Sequence, residues 1–272
     1  MSDTRNVKTG VSKLFLDGVD LGYTQGGVEF SSTTETHKVT VDQFGNTAIK
    51  ESIIGRTCSV NAPLAETTLT NLASLFPTNP NNAANGAGSV GTTAVRVGID
   101  SGVGVDLLET AKTLVIHPYG LPDWDYSDDI IIPLANTPGA LTFAYRLEEE
   151  RVFNVDFTGY PDPQTQMLFF AGNPFTDAPD KTFAISATAA AAVVTGTGFG
   201  ATAAASKVHG KPVLIGGLTQ DAALPGVTFR AKYYAKWVSA TTISLHKNAD
   251  LSDTAVAITG ASSGLVKLAV LA

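Results

Sequence analysis

Apolar positions along the chain recur mostly in short alternating runs, interrupted by Gly, Asn and Asp, and a period of two predicts strands rather than helices. Val11 to Leu16 is the first such run, and Asp17-Gly18-Val19-Asp20-Leu21-Gly22 turns the chain back. Val28 and Phe30 lead into Thr34 to Val41, a strand with one apolar face. Asp42 to Asn46 predicts a turn, and Thr47 to Ile54 and Arg56 to Val60 predict two more strands flanking Gly55, so the pattern to this point is a meander. Strands are expected again at Ala94 to Ile99, Lys112 to His117 and Asp129 to Ile132, the last stopping before Pro133. The clearest alternation puts Leu141, Phe143, Tyr145 and Leu147 on one face and continues through Phe153, Val155 and Phe157. This is either one very long strand or a hairpin bent at Glu148-Glu149-Glu150-Arg151.

One segment changes period. Leu69, Leu72, Leu75 and Phe76 form a helical stripe, with Pro63 near its start and Pro77 just past its end, which predicts one helix of about three turns. Thr78 to Gly91 has no periodicity and is rich in Asn, Gly and Pro, so it reads as a long exposed loop. After Met167 to Ala171, the stretch Gly172 to Asp180 reads as a linker. Beyond it, strands are expected at Thr182 to Ser186, Val213 to Ile215, Thr228 to Val238, Thr242 to His246, Val256 to Ile258 and Leu265 to Leu271. The Ala-rich patch Ala187 to Ala192 runs into Val193, Val194, Thr195 and glycines, which favours strand and turn over helix. A mostly β chain of two domains follows, residues 1–175 and 176–272.

Composition adds two points to this picture. Hydrophobic residues make up 44% of the chain and charged residues only 16%, against a usual charged share of about 25%. Core material is ample, and a largely neutral exterior suits a surface covered by other subunits. Charge is also uneven: residues 1–175 hold 10 Lys+Arg against 20 Asp+Glu, net −10, whereas 176–272 hold 8 against 5, net +3. An acidic body argues against gripping nucleic acid, whose affinity comes from Lys and Arg, but not against letting it pass. The polar N-terminus lacks an apolar core segment and no run of about 18 apolar residues occurs, so a chain made in a cytoplasm, with no membrane insertion, is expected.

Patterns that carry chemistry are few. Gly196-Thr197-Gly198-Phe199-Gly200-Ala201 matches a dinucleotide fingerprint, with Asp221 beyond it, yet the fingerprint needs a following helix and His209-Gly210-Lys211-Pro212 leaves little room for one. Gly260-Ala261-Ser262-Ser263-Gly264 matches a nucleophile elbow, but no Asp or His follows it, so it reads as a turn. His37, His117, His209 and His246 are scattered without metal-ligand spacing. Asp123, Asp125, Asp128 and Asp129 surround Trp124 and Tyr126 but lack the glycine turn and terminal Glu of a calcium loop, so a solvated or interface loop is expected. Cys58 sits in an alternating stretch and reads as a buried strand residue. No catalytic residue, cofactor or metal is expected.

Several stretches, in order, resemble the major tail tube proteins of long-tailed bacteriophages: Gly10 to Val19, Lys38 to Thr47, the helix from Ala65 to Phe76, Leu114 to Pro118 with Ser127 to Pro133, and Glu148 to Asp162. They span residues 8–172, and the C-terminal part resembles the small Ig-like β-domains that decorate many such tubes. The resemblance implies a β-sandwich or partial barrel with one flanking α-helix, plus a small C-terminal β-sandwich. It implies a structural virion protein, assembled in the host cytoplasm, whose six-membered rings stack into a tail tube through which DNA passes without specific binding. Tape measure, tail terminator and tail tip proteins would be its partners. Glu148, Glu149, Glu150 and Arg151 are then candidates for assembly or the lumen, and Asn79, Asn81 and Asn82, within Thr78 to Gly91, for contact between rings. A surface-binding or head-decoration β-module is the alternative that the neutral C-terminal part suggests.

Overall fold

The computed structural model describes residues 10–76, 97, 99, 101–139, 150–177, 180–188 and 192–271. In chain order the elements are β1 (Ser12–Leu16), β2 (Val19–Asp20), β3 (Glu29–Thr40), β4 (Ala48–Leu64), α1 (Leu69–Leu75), β5 (Lys112–Pro118), β6 (Ile130–Asn136), β7 (Phe153–Gly159) and β8 (Phe170–Ala171). They continue with β9 (Thr182–Ser186), β10 (Val194–Gly196), β11 (Pro212–Gly217), β12 (Lys232–Ser239), β13 (Thr242–His246) and β14 (Val266–Val270). The fold is mostly β, as the alternation requires. Its compact units are interleaved in sequence: one comprises Met1–Thr24, Ala111–Ala135 and Pro161–Ala272, the other Gln25–Thr110 and Asn136–Tyr160.

The first unit contains two sets of strands. β2, β1, β5, β6 and β8 pair antiparallel in that order. The β1–β2 hairpin turns on Asp17 and Gly18, both at positive φ (51° and 76°), the conformation a two-residue hairpin loop demands. A side chain at Gly18 would also strike the Phe229 carbonyl, since a Cβ there lies 2.2 Å from that oxygen. β6 runs through Pro133 rather than stopping before it. Lys112 pairs with Ala135 and Leu114 with Ile132, so Pro133 sits at an irregularity in the ladder, where a missing N–H is tolerated.

Strands β10, β13, β12, β11, β14 and β9 close into a six-stranded antiparallel barrel, where a sandwich was expected. Closure leaves no edge strand. Phe183, Val194, Phe199, Val213, Ile215, Tyr233, Ile243, Leu245 and Leu268 fill its interior. β11 is buried along its whole length because it has two apolar faces: Val213 and Ile215 point into the barrel, and Leu214 packs outward with Val115, Ile131 and Tyr126. Within the expected linker, the described residues 172–177 are not loose. They hold a 3-10 turn, Pro174–Thr176, whose Phe175 is fully buried edge-on against Tyr126, with ring centroids 4.9 Å apart. All six barrel strands nevertheless lie within 176–272. Two expected strand segments are not strands. Thr228 to Ala231 precede β12 as a turn, with Arg230 at φ 65°, and Val256 to Ile258 are irregular.

In the second unit β7 alternates as expected, with Phe153, Val155 and Phe157 buried and Asn154, Asp156 and Thr158 exposed. The register sets Phe157 opposite Val60, Val155 opposite Ala62 and Phe153 opposite Leu64, so the apolar sets of β4 and β7 share one face. The helix is shorter than its stripe implied: α1 has seven residues and is capped by Thr68, whose hydroxyl accepts the Asn71 amide at 3.2 Å. Pro63 does not start it. Pro63 lies within β4, past the end of β3, and its carbonyl accepts the Gln25 amide on the side away from β7, where no ladder donor is needed. The expected strand Ala94 to Ile99 and the alternation Leu141 to Leu147 fall on residues outside the described set.

Candidate assembly surface

The segments that alternation split into several pieces, Thr34 to Val41, Thr47 to Ile54 and Arg56 to Val60, form one antiparallel ribbon. β3 has 12 residues and β4 has 17, joined through a 3-10 turn at Asp42–Phe44. Gly55 does not end a strand. It lies opposite Glu35 while Ile53 lies opposite Thr36, which leaves Ile54 as an extra residue, and a second irregularity leaves out Ile49 between Lys50 and Ala48. Such bulges twist a ribbon and re-aim its side chains. Two consecutive isoleucines before a glycine were the sequence signal for this, because a plain strand would not place neighbouring large apolar residues on opposite faces in water.

Burial divides the ribbon. Its inner part carries Cys58, Val60, Ala62 and Leu64, all buried. Outward of Gly55 almost nothing is covered, and the exposed side chains include Phe44 (65%), Ile49 (51%), Ile53 (56%) and Ile54 (66%). Among the described residues β3 pairs with β4 alone. The ribbon also carries polar partners, as in the 2.6 Å hydrogen bond from Thr36 Oγ1 to Glu51 Oε1.

Of the expected assembly residues, Glu150 and Arg151 are described, whereas Glu148, Glu149, Asn79, Asn81 and Asn82 lie outside the described residues. Glu150 is exposed, and hydrogen bonds from its own backbone amide and then from the Gln25 side chain (3.2 Å) hold its carboxyl below the usual range. Arg151 is engaged within the unit: its guanidinium donates to Thr67 Oγ1 at 2.7 and 3.1 Å and to the Thr67 carbonyl at 3.3 Å, and lies 5.7 Å from the Phe153 ring centroid. These bonds tie the approach to α1 to the start of β7.

No protein-family model matches the chain, and no curated protein does. Among solved structures it is similar to the SPP1 Dit protein, described as a paradigm of the hub adsorption apparatus in phages infecting Gram-positive bacteria, at 13% identity and a TM-score of 0.29, over 95% of this chain and 97% of that one.

The acidic cluster around Trp124 does not act as one group. Asp129 and His117 are fully buried, and His117 Nδ1 donates to Asp129 Oδ1 at 2.6 Å while Nε2 faces the Leu121 carbonyl at 3.2 Å. Arg230 approaches from the barrel: its Nε stands 3.5 Å from Asp129 Oδ2, Nη2 donates to the Asp123 carbonyl at 2.8 Å, and the guanidinium lies 4.6 and 4.4 Å from the centroids of Phe15 and Tyr126. Burial pushes the Tyr126 hydroxyl up to about 12. Asp123 is exposed and pairs with Lys13 at 2.8 Å, and Asp125 accepts the Ser127 amide in a local turn. The cluster was expected to be a solvated or interface loop. Its innermost member is instead half of a buried ion pair that fastens the barrel to the β1–β5–β6 sheet.

The remaining patterns are structural. In the 196–201 segment Phe199 is buried inside the barrel and turns follow, with no helix. Gly196 makes room for that ring, since a Cβ there would lie 2.6 Å from Phe199 Cζ. Ser262 bridges to Ala187, its hydroxyl accepting the Ala187 amide at 3.0 Å. His209 Nδ1 accepts the Trp237 amide and His246 pairs with Asp253, and no His/Cys/Asp/Glu group fit to hold a metal occurs among the described residues. Cys58 is buried, which pushes its thiol up and away from reactivity. Among the described residues no helix is long and apolar enough to cross a membrane.

Proposed function

We propose that the chain is a structural subunit of a phage tail that assembles with copies of itself, as six-membered rings stacked into a tube through which DNA passes. The observation that carries this reading is the outer β3–β4 ribbon. A two-stranded ribbon is marginal in water by itself, and this one exposes Phe44, Ile49, Ile53 and Ile54, with β4 as the one strand beside β3 among the described residues. A second subunit laid on it would cover the apolar side chains. A contact between two different surfaces of identical subunits propagates, and closes into a ring when its rotation divides a full turn. The ordered resemblance over residues 8–172 supplies the number six and the tube.

The charge split fits the same reading. With net −10 over residues 1–175, carboxylates facing a channel would repel phosphates and keep DNA from adhering in transit. The barrel, from the weakly basic C-terminal part, would then decorate the outside, and tape measure, terminator and tip proteins would meet the tube's interior and ends.

Negative-stain electron microscopy of the purified chain tests the proposal. Rings or hollow tubes are the expected result, and the double variant Ile53→Asp/Ile54→Asp should give a folded, monodisperse monomer. A wild-type chain that stays monomeric at high concentration across low and high salt would overturn it.

A further inference from the structure

A buried histidine stands where the barrel meets the β1–β5–β6 sheet, and its neighbours bear on its charge. His117, near the end of β5, has a fully buried side chain. Its Nδ1 lies 2.6 Å from Asp129 Oδ1 and its Nε2 lies 3.2 Å from the Leu121 carbonyl oxygen. A carboxylate and a carbonyl can only accept. A neutral imidazole owns one N–H and one lone pair, so either tautomer sets a lone pair against an oxygen: Nε2 against Leu121, or Nδ1 against Asp129. With a proton on each nitrogen, the ring donates to both. We infer that His117 is a proton-operated latch between the barrel and the sheet, closed when the ring carries two protons and open when it carries one.

The charged groups that face the ring come from three directions. Asp129, just before β6, makes no hydrogen bond through Oδ2 among the described residues, so His117 Nδ1 supplies the bond that holds its carboxylate. Arg230, from the turn before β12, brings Nε to 3.5 Å from Asp129 Oδ2 without a hydrogen bond. Its Nη2 stands 3.3 Å from His117 Nδ1 and would need a lone pair there; it donates instead to the Asp123 carbonyl at 2.8 Å. Asp123, on the loop after β5, puts Oδ1 3.9 Å from Nε2 while pairing with Lys13 of β1 at 2.8 Å. Phe15 of β1 meets the imidazole edge-on, with ring centroids 6.3 Å apart. Asp129 thus lies between two cations, and both N–H groups of the ring are used. Taking one proton away breaks one of the two bonds. Loss from Nδ1 turns a lone pair on Asp129, whose carboxylate then has nothing holding it beside Arg230. Loss from Nε2 repels the Leu121 carbonyl and frees the loop that carries the Asp123 carbonyl, which Arg230 grips. Either loss loosens Arg230, and with it the barrel, from the sheet.

Nitrogen NMR of the full chain at about pH 7.5, a pH unit above the ordinary imidazole value of about 6.5, tests the inference, with the His117 signals assigned by their absence from His117→Gln. Both ring nitrogens are expected to carry protons there. The unfolded chain has released one of them at that pH, so folding takes up a proton. The latch therefore contributes in full below about pH 6.5 and is lost as pH rises through the value at which the folded ring lets the proton go. Over that window the folding equilibrium constant of the wild type should fall about tenfold per pH unit, and His117→Gln should remove the fall. Protection of the Leu121 and Asp125 amides, whose bonds to the Pro118 and Pro122 carbonyls shape the loop, should drop across the same window in hydrogen exchange. Should His117→Gln fail to fold, the ring signals are assigned through the backbone, and the wild-type NMR and exchange measurements carry the test. A folded wild type with one bare His117 nitrogen at that pH, a pH profile that the substitution leaves unchanged, or loop amides whose protection ignores the ring's proton would each overturn the inference.

Discussion

The barrel and the outer β3–β4 ribbon are built from the same kind of residue, β-branched and apolar side chains set among Thr, Ser and Gly, yet they solve the sheet-edge problem in opposite ways. In the barrel every strand has two neighbours and each inward side chain meets others, so that Val194, Phe199, Val213, Ile215 and Ile243 have no exposed surface. In the ribbon each strand has one neighbour outward of Gly55 among the described residues, and Ile53 and Ile54 face solvent. Strand propensity alone does not separate these outcomes, because propensity reports a fit to a pleated, half-buried surface and not what supplies the burial. The barrel supplies its own cover. The outer ribbon has no such cover among the described residues.

Substitutions at matched apolar residues should expose this difference. Phe199→Ala removes a fully buried ring and should cost about 3–5 kcal/mol of unfolding free energy, read by chemical denaturation. If the loss were below about 1 kcal/mol, the barrel would not be the close-packed element described. The buried pair comes next, with an effect of similar or slightly smaller size. Arg230→Ala leaves Asp129 buried without its cation and should cost about 3–5 kcal/mol, whereas Arg230→Met together with Asp129→Leu should recover much of that loss. A double variant as unstable as the single one would mean that the ring contacts of Arg230 with Phe15 and Tyr126 matter more than the ion pair. Ile54→Ser should change monomer stability by less than about 0.5 kcal/mol. Its expected readout is loss of assembly in sedimentation, the reverse of the Phe199 substitution. An assembly unchanged by Ile54→Ser would shift the proposed contact to the β3 edge.

Much of the barrel was legible because its strands are short and bounded by turn residues: Thr182 to Ser186 and Thr242 to His246 match β9 and β13 residue for residue. What alternation could not reveal was closure, since a strand in a barrel and one in a sandwich carry the same period, and the sandwich expectation failed there. Alternation misread the ribbon for a different reason. Gly55 looks like a strand end, but at a bulge a glycine marks continuity, and the pairing partner that shows this lies about 20 residues upstream, as Glu35. Pro63 and Pro133 misled in the same way, each tolerated in a strand because no ladder N–H is required at its position. The Asp123 to Asp129 cluster could not be resolved from sequence, because the partner of Asp129 is Arg230, a hundred residues away and itself within a segment read as strand.

Asp123 stands between the two regimes, an exposed carboxylate at the rim of a buried network, and so measures how little a solvated charge adds to a closed core. Its pKa is held below the usual range, first by the hydrogen bond from Lys13 and further by the charges of Lys13, Arg230 and His117, against a smaller opposing effect of burial. A depressed folded-state pKa means that the unfolded chain binds more protons at low pH. The contribution is therefore complete above the unfolded value of about 3.9 and is lost as pH falls through the folded one. With a side chain 63% exposed, solvent screening limits it, and exposed pairs contribute about 0.2–1 kcal/mol. Asp123→Asn keeps the backbone carbonyl that Arg230 uses, so it isolates the charge. Denaturation midpoints of the variant and wild type should differ slightly at pH 7, converge as pH falls below 4, and draw together in 1 M salt, where the Debye length is about 3 Å. A difference persisting unchanged at pH 3 would show that the Asp123 carboxylate supports the His117–Asp129–Arg230 network through its hydrogen bond geometry and not through charge.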